Sequence, residues 1–344
     1  MKGPILGLCL LLLVSAAAAT GSDNCVTVWN NQEVSGNCIT GAGFAQITTA
    51  EANLLGNCNE AIQFLDLAAN CNIITGANDG RTNFIQCGDM LINDTGCDNF
   101  DLQAELLAAN DNCLTIGNIT QAAEQDAEDS GNCNYVVQIT GAAIGPVQIL
   151  FFPLGSPNYV TNSDLSEFSS LDACVTGSDN LAAQVALQGE FDNCLTDSKL
   201  YEQASVNANI LGCDNNGIYF PAVAPFTDSL ETVVGPYSDG GYIPLPIQVT
   251  VQYADCNTLT RSWVNQMNCL DEEVTGSCNS VGQFALTGVS DNCVTLGSVL
   301  QMSDMKALSL GCNNDIGQSV NLDDACNTIT GGHLSQQVVI NTND

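Results

Sequence analysis

Basic residues are scarce in this sequence. Its 344 residues include 5 Lys and Arg together and one His, against 38 Asp and Glu, which gives a formal net charge of −33. A chain this acidic has no positive surface for nucleic acid, and anionic membranes repel it. The composition therefore excludes nucleic-acid and membrane-surface partners.

Recognisable catalytic motifs are also missing. The single histidine, His333, argues against a nucleophile–His–acid triad, and the sequence has no G-x-S-x-G, no P-loop and no C-x2-C zinc spacing. We predict no catalysis and no cofactor. A carboxylate-based hydrolase is kept as an alternative, although so many acids form pairs by chance.

A long apolar run occurs only at the start of the chain. Lys2 precedes an apolar stretch at residues 5–14 and small residues at 15–19, which is the pattern of a secretory leader. The stretch is shorter than the roughly 20 residues that span a bilayer. The sequence predicts a leader at residues 1–19 and a secreted, extracellular protein.

Export makes disulfides the expected state of the cysteines. One of the 18 cysteines, Cys9, lies in the predicted leader, which leaves an odd number, 17. At least one thiol is then free, capped or linked to another chain. We place this odd cysteine at Cys25 or Cys326, and self-association through it is a predicted partner interaction.

The cysteines form a repeat. Four segments begin with Asn-Cys and an aliphatic residue, and a second cysteine follows after 19 or 20 residues. A third cysteine completes each unit. The unit cysteines are Cys38, Cys58, Cys71, Cys113, Cys133, Cys174, Cys194, Cys213, Cys256, Cys293, Cys312 and Cys326. Because the period is uneven, we predict two tandem domains of two units, at residues 20–165 and 166–344 with a boundary near 161–173, rather than a regular solenoid.

Within each unit a helix is predicted before a strand. Thr48 and Glu51 form a capping box, and Gly56 follows as a helix stop, as do Gly212 and Gly311 in later units. β-branched or alternating runs then predict strands. The fold class predicted is disulfide-rich α+β, with four helix-then-strand cysteine units. Further helices are predicted at residues 98–108 and 179–187, and strands at 62–67, 135–140, 147–152 and 247–253.

Two kinds of surface site are candidates. Acidic clusters suggest calcium, although neither follows the D-x-[DN]-x-[DN]-G loop and a solvated negative face is the favoured explanation. Asn93 and Asn118 lie in N-x-[ST] acceptors for N-glycosylation. The weak metal candidates are Glu124, Asp126, Glu128, Asp129, Asp271, Glu272 and Glu273.

These features favour a secreted, acidic, disulfide-stabilised structural protein, such as a coat, adhesive, silk-associated or matrix component. The alternative is a soluble binding protein for calcium, a cationic partner or a small apolar ligand, with the loops at residues 151–159 and 219–242 as pocket walls. An Asn- and Thr-rich surface is also typical of ice-binding proteins. The sequence shows no regular T-x-T ladder, so ice binding is not favoured.

Overall fold

Every regular element that the structure describes is a β-strand. The computed structural model describes residues 9–20, 25–40, 44–58, 60–76, 82–133, 135–144, 147–149, 152–154, 158–178, 181–212, 248–277, 280–312 and 315–343. Within these ranges there is no helix long and apolar enough to cross a membrane.

Three parallel sheets contain all but two of the strands. Sheet A has β1 (Cys9–Thr20), β4 (Phe44–Leu55), β7 (Thr82–Thr95), β10 (Gly117–Ser130), β15 (Asp164–Thr176), β18 (Lys199–Leu211), β21 (Trp263–Thr275), β24 (Ser298–Leu310) and β27 (His333–Asn343). Sheet B has β2 (Cys25–Ser35), β5 (Glu60–Asn70), β8 (Phe100–Asn110), β11 (Tyr135–Ile144), β16 (Leu181–Phe191), β19 (Gln248–Asp255), β22 (Ser280–Ser290) and β25 (Asp315–Ala325).

Sheet C is made of three-residue strands: β3 (Cys38–Thr40), β6 (Ile73–Thr75), β9 (Cys113–Thr115), β14 (Tyr159–Thr161), β17 (Cys194–Thr196), β20 (Thr258–Thr260), β23 (Cys293–Thr295) and β26 (Thr328–Thr330). The remaining strands, β12 (Val147–Ile149) and β13 (Phe152–Leu154), form an antiparallel hairpin.

The chain visits sheets B, C and A in turn, eight times, and so forms a parallel β-solenoid. One strand of each sheet makes a rung, from β2–β3–β4 to β25–β26–β27. Equivalent asparagines in neighbouring rungs are 35 residues apart where the rung is shortest, and 40, 46 or 64 apart elsewhere. β1 covers much of the predicted leader. It pairs with β4 of the first rung but belongs to no rung itself.

Residues in the strands alternate between the interior and the surface. In β10 the side chains of Ile119, Gln121 and Ala123 are buried, whereas Glu124 and Asp126 are exposed. One apolar cluster extends along the solenoid from Val34 to Val299, so that each rung covers the apolar side chains of its neighbour. Hydrophobic burial is therefore shared along the whole stack.

A column of buried asparagines joins all eight rungs. In each case the backbone N–H and the side-chain Nδ2 of one asparagine donate to the Oδ1 of the next, as Asn72 does to Asn112 at 3.1 Å. Nδ2 also donates to a backbone carbonyl of the preceding rung, Val34 O in the case of Asn72. The column contains Asn37, Asn72, Asn112, Asn158, Asn193, Asn257, Asn292 and Asn327.

Glycines form the corners between sheets A and B. Gly177 and Gly212 have φ of 142° and 153°, and a Cβ on either would collide with the backbone carbonyl of the glycine in the rung below. Glycine alone fits this close approach of stacked corners. The corner column contains Gly56, Gly96, Gly131, Gly177, Gly212, Gly276 and Gly311.

The predicted helices are wrong. The residues from Thr48 to Leu55 belong to β4, residues 98–108 mostly to β8, and residues 179–187 reach into β16. Gly56, Gly212 and Gly311 end strands at corners instead of ending helices. The capping box does not form, because Thr48 is buried inside the solenoid and Glu51 is exposed on its surface. The fold is all-β, not α+β.

Several predicted strands are confirmed. Residues 62–67 lie in β5, 135–140 in β11 and 248–253 in β19; residue 247 lies outside the described residues. A single strand was predicted at residues 147–152, and the structure has β12 and the start of β13 there. The sheets run without a break through residues 161–173, since β15 pairs with both β10 and β18.

The disulfide-rich, four-unit description is also wrong. No two of the cysteines that the structure describes lie at disulfide-bonding distance. The repeat has twice the period of the rungs, because Cys38, Cys113, Cys194 and Cys293 occupy the same position in every second strand of sheet C. Four apparent units are therefore eight rungs.

The asparagine column predicts a large effect of substitution inside the solenoid. Asn193 donates to Ile144 O at 2.9 Å and to Asn257, and it accepts from Asn158 at 3.0 Å. Leucine has a similar shape but leaves these buried groups unpaired. We expect Asn193→Leu to lower the free energy of unfolding by about 3 kcal/mol in urea titrations.

The matched control is Asn207→Leu. Asn207 is exposed on the outward side of β18, where it donates to Asp172 at 3.2 Å. We expect a change within about 0.5 kcal/mol. Equal losses for the two variants would contradict a stabilising role for the column.

Candidate functional surfaces

The outward side of sheet C has an unusually uniform composition. The third residue of all eight strands is threonine. The first residue is Cys, Ile, Tyr or Thr, and two strands, Thr258–Thr260 and Thr328–Thr330, read T-x-T. We call this surface the threonine face. Its threonines are Thr40, Thr75, Thr115, Thr161, Thr196, Thr260, Thr295 and Thr330.

The strands of the threonine face are held in register from below. The middle residue is buried in six of the strands, from β6 to β23, and Ile74, Leu114 and Leu195 are at most 1% exposed. Each strand follows directly on an asparagine of the column. Backbone N–H groups at the first positions donate to the asparagine carbonyl of the preceding rung at 2.8–3.0 Å, from Ile73 to Thr328. The spacing of the face is therefore regular.

A serine column holds the far end of three of these strands. Ser163, Ser198 and Ser262 are buried, and each hydroxyl donates to the carbonyl of the threonine two residues before it, at 2.8–2.9 Å. The hydroxyls also accept from backbone N–H groups of neighbouring rungs, as Ser262 Oγ does from Ser198 N at 3.1 Å. The face is thus fixed on both sides by hydrogen bonds, with little freedom to rearrange.

The threonine face carries no charge. None of its 16 outward positions is acidic or basic. Sheet A differs: one outward row in register reads Asp126, Asp172, Asn207, Asp271 and Lys306. Burial, with Asp172 and Asp89 nearby, raises the pKa of Asp126. Sheet A therefore carries charged residues on its outward side, whereas the threonine face carries none.

The predicted metal ligands lie on this outward side of sheet A. Glu124, Asp126 and Glu128 are exposed on β10, and Asp271 and Glu273 on β21. The side chains of Asp129 and Glu272 lie outside the part of the chain that the structure describes. β15 and β18 separate the two clusters, about 14 Å at the usual strand spacing. Asp271 instead lies 3.8 Å from Lys306. The structure does not bring the two clusters together.

A different group of potential ligands lies at a corner between sheets B and C. One ligand atom from each of Asp255, Cys256 and Asp291 falls within 4.8 Å of the others. Burial, followed by the hydrogen bond to Asp255, raises the pKa of the Cys256 thiol to about 11. A protonated thiol beside two carboxylates suits neither zinc, which binds thiolate, nor calcium, which takes six to eight oxygens.

Buried carboxyl groups lie inside the solenoid. An inward column on sheet A runs Gln46, Gln86, Gln121, Glu167, Glu202, Gln266, Gln301 and Gln336. Each glutamine after Gln46 donates its Nε2 to the member before it, as Gln121 does to Gln86 at 2.8 Å and Gln266 to Glu202 at 2.9 Å. Burial, and then the charge of Glu167, raises the pKa of Glu202 well above its usual range. Burial does the same for Glu105.

An amide oxygen of this column lacks a donor within the described part of the chain. Gln121 Oε1 has no hydrogen-bond donor among the described residues, and Glu167 occupies the register position from which a glutamine would donate. A protonated carboxyl group can supply that O–H. The facing carboxyl groups of Glu167 and Glu202 are fully buried, so they offer no access for a substrate.

The predicted glycosylation sites share one surface. Asn93 and Asn118 both lie on the outward side of sheet A, in β7 and β10. Asn93 Nδ2 lies 3.5 Å from Glu128 Oε2, and Asn118 Oδ1 accepts from Asp164 N at 3.2 Å. Their glycosylation stays a prediction.

The cysteines lie mostly at surface positions. Cys58 and Cys326 are exposed at corners, and Cys87 and Cys174 are half-buried on the outward side of sheet A. The side chain of Cys25, Cys213, residues 219–242 and most of residues 151–157 lie outside the described part of the chain. The predicted pocket walls therefore cannot be placed.

Comparison with known proteins finds no matching family model, no similar curated protein and no similar solved structure. Function is consequently argued from the surfaces themselves.

Sequence reasoning missed the threonine face although its signal was present. The segments N-C-I-T, N-C-L-T and N-C-V-T were interpreted as cysteine motifs. Their Asn and Thr recur in all eight rungs, whereas their Cys recurs in every second one. A search for Asn, any residue, an aliphatic residue and Thr finds all eight of these threonines in the sequence, with one further match at residues 24–27.

The buried glutamates predict a pH dependence of stability. The pKa of Glu202 is raised in the folded protein, so folding favours its protonated form; this contribution is complete below about pH 4.3 and is lost as the pH rises. Glu202→Gln keeps the group neutral at every pH. We expect it to raise the free energy of unfolding at pH 7 by about 1–3 kcal/mol and to change little at pH 4.

Urea titrations at pH 4 and pH 7 test this expectation. Glu273→Gln, on the exposed outward side of the neighbouring strand, is the control and should have the same small effect at both pH values. A Glu202→Gln variant without a gain at pH 7 would show that the carboxyl group does not destabilise the neutral-pH solenoid.

Proposed function

We propose that this protein is a secreted, non-catalytic structural component, such as a coat, adhesive or matrix protein. The observation that supports it most directly is the single column of asparagine hydrogen bonds through all eight rungs. Such a stack has a stiff, elongated interior, and its repetitive outer faces suit multivalent contacts better than a single ligand pocket.

The arrangement of acids supports a role without catalysis. The best-aligned carboxyl pair, Glu167 and Glu202, is buried, and the exposed acids are spread along sheet A. A hydrolase needs two accessible carboxyl groups facing one substrate. Scarce Lys and Arg also leave few sites for trypsin-like proteases, which suits a durable extracellular material.

Chain-to-chain linkage through an exposed cysteine, Cys326, belongs to this proposal. Cys326 is exposed at the corner of the last rung. Its thiol is accessible to a second chain, whereas strand pairing holds Cys87 half-buried on sheet A.

The test is to secrete the full chain from a eukaryotic host and compare non-reducing with reducing gels. We expect a mature N-terminus close to residue 19. We also expect disulfide-linked multimers on the non-reducing gel that run as monomers after reduction. Cys326→Ser should lower the multimer fraction, and the control Cys87→Ser should not. Freely soluble monomers on non-reducing gels, or retention inside the cell, would contradict the proposal.

The acidic outward side of sheet A favours a second candidate, binding of a cationic partner. Asp126 and Asp172 face solvent in adjacent strands. Attraction to such a row is screened by salt. Calorimetry with a lysine-rich peptide at low salt and at 1 M salt tests this second candidate. Binding heats that do not depend on the salt concentration would contradict it.

A further inference from the structure

The uniformity of the threonine face has no explanation in the packing of the solenoid. Inward columns are uniform because one rung hydrogen-bonds or packs onto the next. Outward positions have no such requirement, and on sheet A they vary from Asp126 to Asn207 to Lys306 within one row. Neighbouring threonines stabilise a sheet by up to about 1 kcal/mol per pair, but valine or isoleucine would serve as well.

The strands of the face are also in exact register and therefore regularly spaced. Parallel strands lie about 4.8 Å apart, and residues one and three of a strand about 6.6 Å apart, so eight strands span about 34 Å. Backbone hydrogen bonds of 2.8–3.0 Å to the asparagine column and the buried serines hold this spacing. Both spacings are of the same order as the repeats of a few ångströms on an ice surface.

Threonine has the chemistry to hold water in such rows. Its hydroxyl donates and accepts hydrogen bonds, and its methyl group restricts the neighbouring water. A row of identical side chains can therefore order water along the groove between the first and third positions. We propose that the threonine face binds ice, through ordered water that joins the crystal lattice.

Other ligands fit this face less well. Anions, cations and charged polymers would need charges that its 16 positions lack. Sugar rings commonly stack on aromatic side chains, and Tyr159 is the single aromatic residue of the face. A peptide that adds a strand binds a sheet edge, not a sheet face. A charge-free lattice of water is the remaining match.

Tyr159 and Ile73 are the two bulky outward residues. They are 53% and 51% exposed, at the first position of β14 and β6. Both interrupt the row formed by the first residues of the strands, which we call the first row. They leave complete the row formed by the third residues, the threonine row. Rungs six to eight carry Thr258, Cys293 and Thr328 in the first row and offer the longest stretch of small side chains. Ice contact should centre on that stretch and on the threonine row.

The experiment measures thermal hysteresis and partition into a slowly growing ice hemisphere, with the full chain. Thr115→Lys with Thr260→Lys places charge on the face in rungs three and six. Thr120→Lys with Thr275→Lys places the same charge on the outward side of sheet A in the same two rungs. Circular dichroism and melting curves establish that both double variants fold.

We expect the wild-type protein to enter the ice and to depress its growth temperature. The face variant should lose both properties, and the sheet A variant should keep them. Tyr159→Thr, which extends the first row, should increase the hysteresis. Exclusion of the folded wild-type protein from ice, or equal behaviour of the two double variants, would overturn the proposal. Because ice binding goes beyond the structural role, neither result alters the gel test of chain linkage.

Discussion

Hydrogen bonding between asparagines inside the solenoid is the interaction on which the other features depend. Each asparagine of the column satisfies a backbone N–H, a backbone carbonyl and its own amide in neighbouring rungs, as Asn112 does with Ala69 O and Asn158. Buried polar groups of this kind cost free energy unless every member is paired. Pairing requires one register, and the register places the strands of sheets A, B and C directly above one another. The loops that lengthen some rungs leave the column intact.

The same polar interior explains why the fold was harder to predict than the strands. In β10 the inward residues include Gln121 and Gln125, which resemble surface residues, while the outward residues include Ala122. Hydropathy therefore does not alternate, and short runs ending in glycine were interpreted as helices. β19 does alternate and was predicted as a strand. Gly56 does end an element, but the predicted helix C-cap was wrong, because its φ of 140° fits a solenoid corner and not the left-handed conformation, near about 57°, that ends a helix.

Outward positions are free of the register requirement, and the candidate surfaces lie there. Cysteine marks every second rung at the first position of sheet C, so its period indicated four units where the asparagines show eight rungs. Asp126 and Asp271 could be named from the sequence, but their separation across sheet A could not, because the loops between rungs differ in length. The threonines were visible, yet their alignment becomes apparent only when the strands are stacked.

The buried asparagine column sets the distance between rungs, and this distance also sets the spacing of the outward residues. Replacing a buried polar pair changes the stability of the rungs, as the Glu167–Glu202 position illustrates, but leaves the outward rows in register as long as the asparagine column holds. A substitution on the threonine face changes contacts with a ligand and contacts between neighbouring outward side chains, but it does not touch the buried asparagine column. In this solenoid the buried residues therefore determine the geometry of the rungs, and the outward residues are the ones available for contact with a ligand. A rigid array of this kind suits a ligand that is itself periodic, whether a second protein chain or a crystal surface.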